Sequence, residues 1–147
     1  MYQLIFATNN AHKIAEIQSL VGPDFTIIDM KAAGIEIDIP EPHDTLNENA
    51  LEKAKTIFNI TQTNCFSEDT GLEIEALNGA PGVKSARYAG EDRNFQANVD
   101  KVLDQLTNTE NRNAQFKTVV ALHLNNKFQT FNGICKGSIT KTKHGDD

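Results

Sequence analysis

The chain has 147 residues, with 14 Lys and Arg against 20 Asp and Glu, which gives a formal net charge of -6. This length fits one domain with a hydrophobic core, and no internal repeat indicates otherwise. The acidic balance excludes a broad surface for a nucleic-acid polymer, because such a surface needs clustered Lys and Arg. Residues 4–7 form too short an apolar run for a signal peptide or a membrane span, so we expect a cytoplasmic protein with no membrane partner. Cys65 and Cys135 lie beside apolar residues, which predicts two buried, reduced thiols.

The first predicted unit is a strand, a loop and a helix. The strand is predicted at residues 3–7, of which residues 4–7 are apolar; Thr8 and Asn10 follow in the loop, and Lys13 falls in the first helical turn. A cation is unusual there because the helix dipole favours negative charge. Lys13 therefore indicates an anion bound at the helix N-terminus, and the alternative is an exposed lysine with Asn10 as an ordinary N-cap. The Gly-rich Walker spacing is absent, which excludes a P-loop.

A second strand is predicted at residues 25–28, and residues 32–44 are predicted to be irregular. Thr45 and Glu48 then have capping-box spacing at the start of a helix. The apolar face of this helix is predicted to contain Ala50, Leu51, Ala54, Ile57 and Phe58. Glu48 and Lys53 would lie near its N-terminal end, where they could meet a metal-bound phosphate. The alternative is that Glu48 only caps its own helix.

Two adjacent acids, Glu68 and Asp69, follow an apolar entry and precede Thr70-Gly71. The pattern predicts a corner between two strands, with both acids at the corner. Carboxylate oxygens are the ligands that magnesium prefers, so this corner is a candidate metal site. The alternative is a solvated turn, since acids and glycine are common in turns.

A Gly/Pro-rich loop at residues 78–82 is predicted to present Ser85, Arg87 and Tyr88 as an anion-binding cluster. Residues 95–106 then show helical apolar spacing, which predicts a core-facing helix with Asn98 on its polar surface. Strands at residues 116–124 and 128–134 are predicted to form a hairpin about Asn125-Asn126. The tail, residues 136–147, is polar and is expected to be solvated. Together these elements predict an α/β fold with a mixed sheet.

Four segments in this order resemble the inosine triphosphate pyrophosphatase family: A-T-N-N-A-H-K at residues 7–13, E-N-A-L-E-K-A at 48–54, S-E-D-T-G-L at 67–72 and S-A-R-Y-A-G at 85–90. Arg112, Ala114 and Phe116 resemble a later family segment. The resemblance implies a mixed sheet flanked by helices in an elongated, two-lobed single domain with a central cleft. It also implies a cytosolic, homodimeric, Mg²⁺-dependent enzyme that hydrolyses ITP, dITP and XTP to the monophosphate and pyrophosphate.

The resemblance assigns roles by position. Glu48 and Asp69 match the metal-site acids, and Asp69, beside Glu68, matches the position that activates the water. The positions implied to bind substrate are Thr8, Asn10, Lys13, Lys53, Thr70, Ser85 and Arg87.

Two departures from the family pattern stand out. Glu68 replaces the more usual aspartate, and the longer side chain is expected to shift the metal geometry. Family members continue beyond the position of Asp147 with segments that hold the purine, so a C-terminally truncated domain spanning 1–147 is expected. The alternatives are a Maf-like pyrophosphatase of another base preference, a non-catalytic nucleotide-binding fragment, and a phosphatase that releases orthophosphate.

Overall fold

The computed structural model describes residues 2–143, which contain three α-helices and six strands. In chain order these are β1 (Tyr2–Phe6), α1 (Ala11–Val21), β2 (Phe25–Ile28), α2 (Leu46–Thr61), β3 (Cys65–Ile74), β4 (Pro81–Gly82), α3 (Phe95–Gln105), β5 (Asn113–Leu124) and β6 (Lys127–Ser138). The strand order is β2-β1-β3-β5-β6, and β4 pairs with β3. Because β1 runs parallel to β2 and β3 while β4 is antiparallel to β3, the predicted mixed α/β fold is confirmed.

The described chain divides into two compact units, residues 2–69 with 119–131, and residues 70–118 with 132–143. In the first unit, alternate residues of the parallel strands pack into two clusters, as the period of a strand requires. Ile5 and Cys65 pack with Ile57 of α2, whereas Phe6 and Phe66 belong to a cluster that contacts α1. The first unit therefore has a helix packed on each face of its parallel strands.

The second unit has its own small core, in which Ile74, Val102 and Leu106 are buried together. Arg112 fastens this core to the chain that follows β6. Its guanidinium donates to the carbonyl oxygens of Leu106 at 2.9 Å, Ile139 at 3.0 Å and Thr140 at 2.7 Å. Arg112 therefore has a structural role in this unit.

The corner predicted at Thr70-Gly71 is wrong, because β3 continues without interruption from Cys65 to Ile74. Glycine is needed at position 71 for another reason. A Cβ there would lie 2.8 Å from the carbonyl carbon of Gly82, and closer still to its oxygen. Gly71 thus permits the close approach of β4, whose Gly82 pairs with Leu72.

The apolar face of α3 is only partly core. Val102 is buried, but Phe95 is 56% exposed, and Phe95, Val99 and Leu103 line an open pocket of about 890 Å³ within the second unit. The Asn98 side chain, predicted to be plain surface, accepts from the Ala89 amide at 2.7 Å and donates to the Ala86 carbonyl at 3.0 Å. The helical spacing therefore predicted α3 correctly, but the prediction that its whole apolar face is core was wrong.

The β5–β6 hairpin is confirmed, and Asn125 and Asn126 both have positive φ, as a tight two-residue hairpin turn requires. Cys65 is buried as predicted, but Cys135 is exposed on β6. β6 runs to Ser138, so the polar tail begins later than predicted, and its last four residues, 144–147, lie outside the described residues. No helix among residues 2–143 is long and apolar enough to cross a membrane.

Gly71→Ala is expected to lower the free energy of unfolding by about 2 kcal/mol or more, because the added methyl group displaces the backbone of β4. Urea denaturation measures the change. Gly133→Ala is the matched control, since it also lies in a strand but has no neighbour within 4 Å of the added Cβ. Equal stability of the two variants would contradict this explanation of Gly71.

Candidate functional site

One face of β3 is attached to α2 by three successive inward residues. The Cys65 thiol donates to the Ala54 carbonyl at 3.3 Å, the Ser67 hydroxyl donates to the Ala50 carbonyl, and the Asn49 side chain favours the ionised form of the Asp69 carboxyl, lowering its pKa. Burial raises the pKa of Cys65 to about 12, which leaves this thiol unreactive. On this face of β3, Cys65 and Ser67 therefore pack against α2, and Asp69 places a carboxylate near the N-terminal end of α2.

The opposite face of β3 meets α1. Phe66 stacks on Phe6 with ring centroids 4.3 Å apart, and the Glu68 carboxylate Oε1 lies 2.5 Å from the Lys13 ammonium. Because successive strand residues point to opposite faces, Glu68 faces α1 and Asp69 faces α2. The sequence predicted both acids at one corner. The structure instead places the two side chains on opposite faces of β3.

Lys53 of α2 connects these groups. Its ammonium donates to the Glu68 backbone carbonyl at 2.6 Å and lies 3.5 Å from the Glu41 carboxylate. We define the acid–lysine cluster as Lys13, Glu41, Lys53, Glu68 and Asp69. Glu41 was missed by the sequence analysis because it lies in the irregular segment before α2. The one signal in the sequence was an acid placed between two prolines, Pro40 and Pro42.

Asp69 is a buried acid with a raised pKa. It is 8% exposed, and among the described residues its Oδ2 has no hydrogen-bond partner. Burial raises the pKa of Asp69 from 3.8 to about 6, with smaller contributions from Glu41 and Glu68, while Lys53 and Asn49 oppose the shift. A buried carboxylate poised near neutral pH is a candidate for proton transfer or for cation binding.

The donor set fits a hard cation. An orphaned carboxylate oxygen on Asp69, beside the acids Glu41 and Glu68, offers the oxygen ligands that magnesium prefers. Within residues 2–143, no group of three or more His, Cys, Asp or Glu residues is placed so that it could hold a metal ion. A cation at Asp69 would therefore depend on one or two carboxylates, with water and substrate phosphates as its other ligands.

Three other predicted residues organise the backbone around this cluster. The Asn10 Oδ1 accepts from the amides of His12 at 3.0 Å and Lys13 at 3.2 Å, and the Thr8 hydroxyl accepts from the Asn10 amide. The Thr45 hydroxyl accepts from the Glu48 amide and donates to the Glu48 carboxylate, both at 3.1 Å, and Glu48 lies 3.4 Å from His43. Asn10 is therefore an N-cap, and Glu48 contacts the N-cap residue of its own helix through the Thr45 hydroxyl, not through the backbone amide as in a capping box. The roles of Asn10 and Glu48 toward substrate or metal stay predictions.

The remaining predicted residues, Thr70, Ser85 and Arg87, belong to the second unit. The Ser85 hydroxyl accepts from the Leu72 amide at 2.8 Å and donates to the Gly82 carbonyl at 2.6 Å, so it holds its own loop against β3. Thr70 exchanges a hydrogen bond with Thr118, and Arg87 lies 3.9 Å from Glu91. The structure thus brings together Lys13, Lys53, Glu68 and Asp69. The substrate roles of Thr70, Ser85 and Arg87 stay predictions.

A family model described as the Ham1 family matches residues 4–147. This chain belongs to the Ham1 family. A protein of Flavobacterium psychrophilum named dITP/XTP pyrophosphatase is 51% identical over 144 residues, which cover 98% of this chain and 76% of that relative. A protein of the same name from Porphyromonas gingivalis is 45% identical over 146 residues, covering 99% of this chain and 75% of the relative.

Solved Ham1 structures share the fold. The Ham1 protein of Staphylococcus aureus superposes with a TM-score of 0.89 at 34% identity, covering 99% of this chain and 76% of that chain. A HAM1 protein from Coxiella burnetii gives a TM-score of 0.90 at 33% identity, covering 100% of this chain and 77% of that chain. The family expected from the four sequence segments is therefore confirmed.

Asp69→Asn is expected to raise the free energy of unfolding at pH 7.5, in metal-free buffer, by about 1–3 kcal/mol. Since the folded pKa of Asp69 is about 6 and the ordinary value is 3.8, ionisation disfavours the folded state. The gain should grow between these two pH values, persist above them and vanish near pH 3.5. Thermal denaturation across pH measures it, with exposed Asp24→Asn as control. A loss of stability at pH 7.5 would contradict this account of Asp69.

Proposed function

We propose that this chain hydrolyses non-canonical purine nucleoside triphosphates, ITP, dITP and XTP, to the nucleoside monophosphate and pyrophosphate. The observation that carries the proposal is the acid–lysine cluster, in which a buried, partnerless carboxylate oxygen lies among two lysines and two further acids. The names of the Ham1 relatives, dITP/XTP pyrophosphatase, support the substrate class.

The two lysines supply charge for the triphosphate. Lys13 lies in the first turn of α1, where its ammonium and the helix N-terminus both favour an anion. Lys53 is 12% exposed and is fixed by the Glu68 carbonyl, so it offers a positioned charge at low entropic cost. We assign Lys13 and Lys53 to the β- and γ-phosphates.

The hydrolytic step uses Asp69 as proton acceptor. A water oxygen attacks the α-phosphorus, the bond from this phosphorus to the α–β bridging oxygen breaks, and pyrophosphate leaves with the electron pair. Asp69 takes the proton of the attacking water as a general base. The protein's contribution is therefore positioning and charge stabilisation, as in other phosphoryl-transfer sites.

Magnesium is the proposed cofactor, and when bound it neutralises charge on the phosphate oxygens as a Lewis acid. Asp69 would hold it through the orphaned Oδ2. Glu48 is proposed as the second acid, which requires that it release the Thr45 hydroxyl. Thr8, Asn10, Thr70, Ser85 and Arg87 are proposed to complete the substrate contacts.

We further propose that the enzyme acts as a homodimer in the cytoplasm, where the nucleoside triphosphate pool is found. The family resemblance supports the dimer, and the substrate class supports the compartment. With a formal charge of -6, a nucleic-acid polymer is not proposed as a partner.

The reaction itself is the first prediction of this proposal. With Mg²⁺, dITP and XTP should yield the monophosphate and pyrophosphate, whereas dATP and dTTP should be spared. Chromatography combined with a direct pyrophosphate assay identifies the products. Orthophosphate as the first product would indicate a phosphatase, turnover of other bases would favour a Maf-like activity, and binding without turnover would leave a nucleotide-binding module.

Two variants separate the chemical step from phosphate binding. Asp69→Asn should lower kcat about 10³-fold, which is about 4 kcal/mol of barrier, because the water loses its proton acceptor. Lys13→Ala should instead raise KM about tenfold, because it removes a phosphate contact. Lys31→Ala, an exposed lysine outside the cluster, is the matched control. A wild-type rate in Asp69→Asn would end this assignment.

A further inference from the structure

Lys13, one of the two lysines assigned to phosphate, is already paired with a carboxylate of the protein. The Lys13 ammonium lies 2.5 Å from Glu68 Oε1, the shortest ion pair described in the cluster. A triphosphate that uses Lys13 must therefore take it away from Glu68. This observation rests on a contact between Lys13 of α1 and Glu68 of β3, and both residues belong to the first unit.

The two lysines differ in their freedom to move. The Lys13 side chain is 47% exposed and its ammonium is held by one side-chain carboxylate, whereas Lys53 is 12% exposed and donates to the backbone of Glu68. A half-exposed lysine can change partner at a lower cost than a buried one, because water solvates its ammonium during the change. Lys53 keeps the β3 backbone in place while the Glu68 side chain changes partner.

Departure of Lys13 removes one positive charge from beside Glu68. The Glu68 side chain is only 19% exposed, and it lies next to Asp69, whose carboxylate is also affected by Glu41. Concentrating negative charge in a partly buried site raises its affinity for a divalent cation. The loss of Lys13 from Glu68 would therefore favour the metal at the same moment as the phosphate arrives.

We propose that Glu68 acts as an exchange residue: it holds Lys13 until a triphosphate takes the lysine, and is thereby released to favour divalent-cation binding. The inference depends on the proposed triphosphate substrate and adds the order of events at the site. The metal should bind the nucleotide-free protein weakly and bind much better once a triphosphate is present. By linkage, the triphosphate gains the same factor from the metal.

The first test measures metal-free binding of inorganic tripolyphosphate by calorimetry in EDTA. Glu68→Gln should bind it about two- to fivefold more tightly than wild type, because Lys13 no longer has to leave a partner. Glu16 is an exposed acid on α1, the helix that carries Lys13, so Glu16→Gln is the charge-matched control and should bind tripolyphosphate as wild type does. No tightening in Glu68→Gln, or no measurable binding to any variant, would overturn the proposal.

A double-mutant cycle separates exchange from simple charge repulsion. If Glu68 acts by holding Lys13, its substitution by Gln should have no effect on tripolyphosphate affinity in a Lys13→Met background. If Glu68 only repels phosphate, the tightening should persist in that background, and the exchange would be refuted. Circular dichroism and thermal denaturation of each variant confirm that the fold is retained.

The metal arm uses Mn²⁺ alone, followed by electron paramagnetic resonance. Wild type should bind Mn²⁺ weakly, and the Lys13→Met substitution, which removes the charge of Lys13 without adding a chelator, should tighten Mn²⁺ binding several-fold. Lys31→Met is the control. Equal Mn²⁺ affinity in wild type and Lys13→Met would count against the exchange. These binding readouts need no turnover, so a chain that binds as expected but does not hydrolyse dITP would refute only the proposed function.

Discussion

The alternation of side chains along β3 is the constraint on which the site depends. Successive residues of a strand point to opposite faces, so Cys65, Ser67 and Asp69 pack on α2 while Phe66 and Glu68 meet α1. Residues 65–67 of β3 use this alternation for packing, and residues 68 and 69 use it to place two carboxylates on opposite faces. A shift of one residue in register would exchange every partner, which is why the apolar pair Cys65 and Phe66 also fixes the orientation of the two acids.

Burial of the Asp69 carboxylate is energetically unfavourable, and the surrounding contacts only partly compensate for it. Lys53 and Asn49 favour the ionised form, but desolvation prevails and the pKa rises to about 6. Natural sites tolerate such a conflict when the strained group has a task, because activity and stability are then opposed at the same residue. The orphaned Oδ2 is the structural sign of this conflict, since most buried polar atoms in folded proteins have a partner.

Several local features followed directly from the sequence. The helix start at Thr45, the Asn125-Asn126 hairpin and the strand at residues 25–28 were predicted correctly, because each depends on short-range hydrogen bonding or on periodicity. The corner at Thr70-Gly71 was predicted wrongly for a related reason. Gly71 looked like a turn residue, but the close approach of Gly82, eleven positions away in the chain, determines it. Cys135 and the face of α3 were misjudged because an apolar neighbourhood in sequence does not show what packs against it.

The sequence by itself determined the family, the mixed α/β class and most members of the acid–lysine cluster, because lysines and acids at characteristic spacings carry that information. Only the tertiary structure decided how they pair. It placed Glu41 beside Lys53, directed Glu68 to Lys13, and buried Asp69 against α2 with one oxygen unpartnered. These pairings join residues from 12 to 55 positions apart, and their strength depends on burial and distance, which are properties of the folded chain and not of any local stretch.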